Sequence, residues 1–137
     1  MQAAATPILL GERTLTELDH QRLSRLHDKN APPALEQLLD ATDVVGSREV
    51  AADVVTMYSQ VRIVDARTGH AQKLTLCYPA DAEPASGFIS VLCPVGLALI
   101  GLRVGALAHW HTPGGEDVSA RVEQILFQPE ASGDYAA

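Results

Sequence analysis

Two pairs of histidines have a spacing that could support metal chemistry. His109 and His111 flank Trp110 in a segment with strand-like alternation, so both imidazoles would lie on one face and could bind a metal ion. His20 and His27 lie seven positions apart on a predicted helix and would also share a face. A metal site needs a third and a fourth ligand, and the sequence near either pair supplies none. We therefore predict solvated or packing histidines, with no metal and no cofactor.

Cys77 and Cys93 are the candidate nucleophiles. They lie 16 positions apart with no Cys-x-x-Cys spacing, which excludes a disulfide framework and a four-thiolate zinc site within the chain and predicts reduced thiols. Cys93 directly precedes Pro94, the predicted start of a short helix, and a helix N-terminus can lower the pKa of a thiol. The alternative interpretation is a small apolar residue in a loop, and we predict no catalytic residue.

The signature motifs of the common enzyme classes do not occur in the sequence. There is no Gly-x-Ser-x-Gly elbow, no phosphate-binding loop, no His-Glu-x-x-His and no Gly-x-Gly-x-x-Gly. The predicted turn between the first two helices carries Asp28, Lys29 and Asn30 in place of the paired carboxylates that could hold Mg²⁺. One carboxylate beside a lysine is a poor metal clamp, and we predict that the protein is not an enzyme.

Composition and charge limit the partners. The 137 residues are about one domain's worth, and 47% apolar with 20% charged residues is the balance of a globular protein. The excess of 17 acidic over 10 basic residues gives a formal charge of -7, which argues against direct binding to DNA or RNA through phosphates. We find no signal peptide pattern and no apolar run long enough for a membrane span, so the expected compartment is the cytoplasm.

The first third of the chain has the periodicity of helices. Thr14 and Glu17 fit a capping box, which predicts a first helix that runs to about Asp28. The proline pair at 32–33 ends that helix, and Pro33 is well placed as the first residue of a second one. The apolar faces would hold Leu15, Leu18, Leu23 and Leu26 on the first helix and Leu35, Leu38 and Leu39 on the second.

Two helices joined by a tight turn favour an antiparallel hairpin. At about 1.5 Å per residue, the first helix would be roughly 22 Å long and the second roughly 15 Å, which makes a short finger. The tip of this finger would be Asp28, Lys29 and Asn30. The alternative that stays open is a pair of core helices lying flat on the sheet.

From about residue 54 the pattern changes to that of strands. We predict strands at 61–64, 73–78, 88–92, 107–111 and 118–127, and a short helix that begins at Pro94 and ends before Gly101. The fold class is therefore α+β. Residues 1–50 would form the short helical hairpin, and residues 51–137 an antiparallel sheet with one short helix on one face.

The sequence from Phe88 to Gly101, FISVLCPVGLALIG, resembles the C-terminal domain of the Gre transcript-cleavage factors. Val104-Gly105 and Thr112–Gly115 follow it with the order and spacing of the same pattern. The match covers roughly residues 55–127. Outside this run, the segments 53–59, DVVTMYS, and 128–135, QPEASGDY, look like the Rnk branch of the family, the regulators of nucleoside diphosphate kinase.

The resemblance implies an FKBP-like C-terminal domain, an N-terminal antiparallel helical hairpin, and docking on RNA polymerase at the rim of the secondary channel. The main contact would be the loop before the short helix, Ser90–Val95, which we call the docking loop. Its contact residues would be Ser90, Leu92, Cys93, Pro94 and Val95. The Gre pattern has a polar residue and a serine where this chain has Leu92 and Cys93, so the contact becomes more apolar.

The helical hairpin departs further from the Gre pattern. Gre factors reach the polymerase active site with a long coiled coil tipped by acidic residues that help to hold Mg²⁺, whereas this chain has a short finger with only Asp28 near its tip. The resemblance thus implies a polymerase-binding regulator that does not stimulate transcript cleavage. The alternatives are a Gre-type cleavage and elongation factor, and an FKBP-like prolyl isomerase. Any link to nucleoside diphosphate kinase is expected to be indirect, through transcription.

Overall fold

The computed structural model describes residues 12–112 and 114–135, which form a mixed α+β fold as predicted. Single 3₁₀ turns lie at Pro79–Asp81, Pro84–Ser86 and Glu130–Ser132. The helices and strands of this part of the chain are β1 Thr14–Thr16, α1 Glu17–Ser24, α2 Pro33–Ala41, β2 Asp43–Val45, β3 Gln60–Asp65, β4 Ala71–Cys77, β5 Phe88–Ser90, α3 Pro94–Leu99, β6 Leu107–His111 and β7 Asp117–Phe127.

Five strands form the main sheet in the order β5-β4-β3-β7-β6. The pairs β3–β4, β3–β7 and β6–β7 are antiparallel, as predicted. The strand β5 pairs with β4 in parallel, so the prediction of a wholly antiparallel sheet is wrong at this edge. The connection from Tyr78 to Gly87 contains two 3₁₀ turns and carries the chain back along β4 before β5 begins. Gly87 has a φ of +86°, which glycine adopts without strain at this entry into β5.

The inner face of the sheet carries the core. In β4, Leu74 and Leu76 are buried on this face, whereas Thr75 between them points to the outer face and is half-buried. Val61 of β3 and Val122 of β7 are completely buried in the same cluster. Burial in β4 therefore follows the alternation of apolar and polar residues at Leu74, Thr75 and Leu76.

The N-terminal segment differs from its prediction. Thr14–Thr16 is a strand that pairs in parallel with β2, so Thr14 does not cap a helix. Thr16 is the N-cap residue, and its side chain accepts a hydrogen bond of 3.0 Å from the Asp19 N–H. The helix α1 has 8 residues and ends at Ser24, and at 1.5 Å per residue it is about 12 Å long rather than 22 Å.

Both N-terminal helices pack into the core of the sheet. Leu23 of α1 and Leu35 and Leu38 of α2 are 0–1% exposed and belong to the same hydrophobic cluster as Val61 and Leu76. This arrangement matches the alternative of core helices, and a projecting antiparallel hairpin is not confirmed. The FKBP-like detail and the domain boundary after residue 50 stay predictions.

Candidate functional site

The docking loop is shaped by hydrogen bonds at the end of β5. The Ser90 hydroxyl accepts the Leu92 N–H at 3.1 Å, and the Ser90 carbonyl accepts the Cys93 N–H at 3.1 Å. Just before these, the Val91 N–H donates to the Cys77 carbonyl of β4 at 2.8 Å. Ser90 therefore closes a turn at the point where β5 ends, because it accepts hydrogen bonds from the N–H groups of Leu92 and Cys93.

Cys93 is the N-cap residue of α3. Its Sγ accepts the Gly96 N–H at 3.4 Å, and its carbonyl accepts the Leu97 N–H at 3.0 Å. The other thiol, Cys77, is buried, and burial raises its pKa. Both cysteines thus have structural contacts, because the Cys77 Sγ also donates to the Ile89 carbonyl at 3.6 Å.

Gly96 allows α3 to approach the loop closely. A Cβ atom at this position would lie 2.3 Å from the Ser90 carbonyl oxygen and 2.7 Å from the Val91 Cα. Both atoms belong to the backbone and cannot move away as a side chain could. The corner between β5 and α3 therefore requires glycine at 96.

The docking loop is only partly exposed. Pro94 is exposed, whereas Ser90, Cys93 and the pair Leu92 and Val95 are half-buried. Leu92 and Val95 pack against the hydrophobic core. Pro94 is thus the outermost of the predicted contact residues, with parts of the others around it.

Arg13 supports the loop from the opposite end of α3. Its guanidinium Nη1 donates to the carbonyls of Leu97 and Ile100, both at 3.0 Å, and so satisfies groups at the C-terminal end of the helix. Arg13 is 5% exposed, and desolvation lowers its pKa to about 10. A buried cation at the carbonyl end of α3 holds the short helix in place.

The predicted finger tip is an exposed turn between α1 and α2. Asp28, Lys29 and Asn30 are all exposed there. The Asp28 carboxylate accepts the Asn30 N–H at 2.7 Å, and the backbone carbonyl of Asp28 accepts the Ala31 N–H at 3.1 Å. The only carboxylate of the tip is therefore engaged by its own turn.

The histidine pairs contact protein groups. His109 Nδ1 and the Ser119 hydroxyl lie 2.7 Å apart, and His111 Nδ1 lies 2.6 Å from Asp117 Oδ1 on β7. Within 12–112 and 114–135, no group of three or more His, Cys, Asp and Glu side chains could hold a metal ion. His20 Nε2 lies 3.1 Å from the Leu39 carbonyl oxygen, and His27 Nε2 lies 3.3 Å from the Glu36 carboxylate.

A buried polar cluster was missed by the sequence patterns. Asp19 Oδ2 accepts the Met57 N–H at 3.2 Å, and Glu130 Oε1 accepts the Thr56 hydroxyl at 2.7 Å. Burial, with a smaller repulsion from Glu130, raises the pKa of Asp19 to about 6. The signal for this cluster was the resemblance of 53–59 and 128–135 to the Rnk branch, because these two segments meet here.

Comparison with known proteins agrees with the fold and with the positions of the motifs. The protein-family model for the C-terminal domain of the transcription elongation factors GreA and GreB matches residues 50–127. The chain is 38% identical over 127 residues to the "Regulator of nucleoside diphosphate kinase" of Escherichia coli, covering 88% of this chain and 93% of that protein. It is also 35% identical over 101 residues to the "Transcription elongation factor GreA" of Solidesulfovibrio magneticus, covering 73% of this chain and 61% of that one.

A solved structure shows the same fold. The "Prokaryotic transcription elongation factor GreA/GreB" from Nitrosomonas europaea is similar with a TM-score of 0.71 and 33% identity, over 85% of this chain and 99% of that one. The chain therefore belongs to the GreA/GreB family of transcription elongation factors. Among the helices of the described part of the chain, none has the length and apolar character that crossing a membrane requires.

Proposed function

We propose that this protein is a non-catalytic transcription regulator that binds RNA polymerase at the rim of the secondary channel through the docking loop. It does not stimulate transcript cleavage. The family supports the partner, and the construction of the docking loop supports the place of contact. The observation that carries the proposal is the exposed Pro94 on a corner held by Ser90, Cys93 and Gly96.

The docking loop has the properties of an interface anchor. Five hydrogen bonds hold it in one conformation, so little conformational entropy is lost when a partner binds. Leu92 and Val95 flank Pro94 and offer apolar surface at its sides. A small preformed apolar projection of this kind is suited to a shallow apolar recess on a partner.

The finger tip supports the absence of cleavage activity. Mg²⁺ is held by several oxygen ligands, whereas the tip has one carboxylate, Asp28, whose oxygen already accepts a backbone N–H. The helices behind the tip have 8 and 9 residues and bury their leucines in the core. A tip on such short helices offers a blunt surface and no metal clamp.

The proposed partner also determines the expected compartment and the kind of link to nucleoside diphosphate kinase. With a formal charge of -7 the protein would bind the polymerase itself rather than its nucleic acid, in the cytoplasm. The name of the Escherichia coli relative refers to nucleoside diphosphate kinase. We propose that any such link in this protein is indirect and acts through transcription.

Binding to RNA polymerase core enzyme tests the place of contact. Pro94→Asp places a charge at the exposed first position of α3, where an acidic residue is compatible with the helix. We expect this variant to raise the Kd at least tenfold, whereas the matched variant Val104→Asp, at a residue 40% exposed outside the loop, changes it less than twofold. Equal effects of both variants on the Kd would overturn the docking loop as the place of contact. A lack of binding by the unaltered protein would overturn RNA polymerase as the partner.

Backtracked elongation complexes test the second half of the proposal. With Mg²⁺ present, the protein should leave the RNA length unchanged and should slow the cleavage that an added GreA factor stimulates, because both would occupy the same rim. Shortened RNA with this protein alone would contradict the proposal. Undiminished cleavage by GreA at a saturating concentration of this protein would contradict the shared site.

A further inference from the structure

A row of residues crosses four strands on the outer face of the main sheet. Phe88 of β5 is paired with Thr75 of β4, and Thr75 is paired with Gln60 of β3. Gln60 is paired in turn with Phe127 of β7. Directly paired residues lie on one face of a sheet. Adjacent strands are about 4.8 Å apart, so the row forms a groove with two polar residues on its floor and phenylalanines at its sides, about 14 Å apart.

Tyr58 lines the same groove. The cavity has a volume of about 330 Å³ and is lined by Tyr58, Gln60, Thr75, Phe88 and Phe127, and we call it the aromatic groove. Tyr58 has a φ of +64°, which is unfavourable for a bulky L-residue. Its N–H donates to the Leu76 carbonyl at 2.7 Å, and its ring packs edge-on against Tyr78 with 5.7 Å between the centroids. Strained backbone of this kind is concentrated at functional sites.

The rings of the aromatic groove face water. Phe88 is 37% and Phe127 48% exposed, and Tyr58 is half-buried. The chain has two phenylalanines, three tyrosines and one tryptophan, so both phenylalanines lie at the surface and at one place. Rings of this size usually contribute to the core, and a cluster of them at the surface marks a binding site.

Two carboxylates flank the aromatic groove beside β5. The Tyr58 hydroxyl donates to the Asp81 carboxylate, and burial, together with this carboxylate, raises the pKa of Tyr58 to about 12, so the phenol keeps its proton. Glu83 exchanges two backbone hydrogen bonds with Phe88, at 2.9 and 3.1 Å. Asp81 and Glu83 are both exposed. Each acid therefore contacts a residue that lines the groove and remains open to a ligand.

The basic residues near the groove do not balance these acids. Lys73 is the next outward-facing residue of β4, and it is paired with Arg62 of β3. The Arg62 Nε donates to the Glu123 carboxylate at 2.7 Å, which neutralises that arginine locally. One lysine therefore stands against two acids, in a chain whose formal charge is -7. The charge around the groove suits a cationic ligand.

We propose that the aromatic groove binds an arginine side chain that projects from a partner protein. The guanidinium stacks on a phenylalanine ring of the groove, and its N–H groups reach the carboxylates of Asp81 and Glu83. The Thr75 hydroxyl and the Gln60 amide oxygen on the floor accept further N–H groups. This inference does not depend on polymerase binding.

The chemistry of the groove favours arginine over lysine and a side chain over a larger ligand. A guanidinium is planar and weakly hydrated, so it can lie on a ring and bind a carboxylate at the same time, whereas an ammonium is a strongly hydrated point charge. At about 330 Å³ the cavity lies near the lower end of the range for small-molecule pockets, on the order of 300–1,000 Å³. This size and the open position suit one long side chain.

Titration with the peptide acetyl-Gly-Arg-Gly-amide, followed by the backbone amide signals in NMR spectra, tests the groove. We expect saturable shifts at Thr75, Phe88 and Phe127 with one common Kd. The peptide with lysine in place of arginine carries the same charge and should bind with a Kd at least threefold higher. The peptide with citrulline has nearly the same shape without the charge and should bind with a Kd at least tenfold higher.

Two variants connect the binding to the groove. Phe127→Ala removes an exposed ring and should raise the Kd of the arginine peptide at least threefold. Glu83→Gln removes one charge and keeps an oxygen that can accept the Ser86 hydroxyl, and it should raise the Kd at least twofold. The matched control Leu107→Ala changes an exposed apolar residue of β6 outside the row and should leave the Kd within 1.5-fold.

The proposal would be overturned by a lack of saturable shifts, or by equal Kd values for the arginine and lysine peptides. It would also be overturned by shifts that spread over the surface away from the groove, because these would reflect attraction by the net charge alone. An unchanged Kd in Phe127→Ala would exclude the groove as the binding site.

Discussion

At Cys93 a thiol occupies the position that serine, threonine or aspartate usually fills at a helix N-terminus. Sulfur is a weaker acceptor than a hydroxyl oxygen, and the contact from the Gly96 N–H is correspondingly long at 3.4 Å. A thiol here retains the cap and makes the surface of the docking loop more apolar than a hydroxyl would.

Two variants separate these effects of Cys93. Cys93→Ser should keep the cap and leave the free energy of unfolding unchanged or slightly higher, whereas Cys93→Ala should lower it by about 1 kcal/mol because the Gly96 N–H loses its acceptor. Urea unfolding under reducing conditions measures both. Equal stability of the serine and alanine variants would show that the thiol does not cap α3.

Gly96 gives a second prediction at the residue scale. Gly96→Ala forces a methyl group against the Ser90 and Val91 backbone and should lower the free energy of unfolding by about 1–3 kcal/mol. Polymerase binding should weaken as well, because the docking loop must shift. Gly46→Ala is the matched control, since its Cβ meets only the flexible Glu49 side chain, and its unfolding midpoint should stay close to that of the unaltered protein.

At the scale of elements, the sequence predicted α3 and its position well because its start is local. Pro94 sets the first helical φ, and Gly101, with a φ of +82°, follows the end. The assignment of Thr14–Thr16 failed because two partners distant in sequence decide it. The Thr14 N–H donates to the Gly101 carbonyl and the Asp43 N–H donates to the Arg13 carbonyl, and neither contact leaves a pattern in the sequence near Thr14.

Arg13 lies next to β1 and donates hydrogen bonds at the end of α3, so the loss of its side chain should destabilise α3. Arg13→Met keeps most of the buried aliphatic volume but leaves the Leu97 and Ile100 carbonyls without their donor. We expect a loss of about 1–3 kcal/mol in the free energy of unfolding. Faster amide hydrogen exchange in α3 than in β7 would localise the effect, and unchanged exchange in α3 would contradict it.

At the scale of the whole molecule, one core joins the helical segment to the sheet. The predicted boundary after residue 50 divides the chain by pattern, while Leu35 and Leu38 share a cluster with Leu74 and Leu76. Alternation with a period of two matches the burial of Leu74 and Leu76 in β4, and the helical period gave the buried leucines of α2. The pattern could not say where these leucines pack, because an apolar stripe fits a partner helix and a sheet equally well.

The shared core predicts one unfolding transition for the whole chain. Leu38→Ala should lower the free energy of unfolding by about 2–5 kcal/mol through the cavity that it leaves. Fluorescence of the single tryptophan, Trp110 in β6, and far-UV circular dichroism should report the same lowered midpoint. Two separated midpoints would instead show that residues 1–50 unfold as an independent unit.

The parallel ladder of β1 and β2 brings the start and the end of the helical excursion together. Thr16, where the chain leaves for α1, lies opposite Val45, and Asp43, where it returns from α2, lies opposite Thr14. Insertions at the exposed turn 28–30 between the two helices would leave the buried leucines, both anchor strands and the main sheet in place, and longer loops add little closure entropy. The same base can thus carry a helical pair of greater reach, and a chimaera lengthened at this turn should still fold.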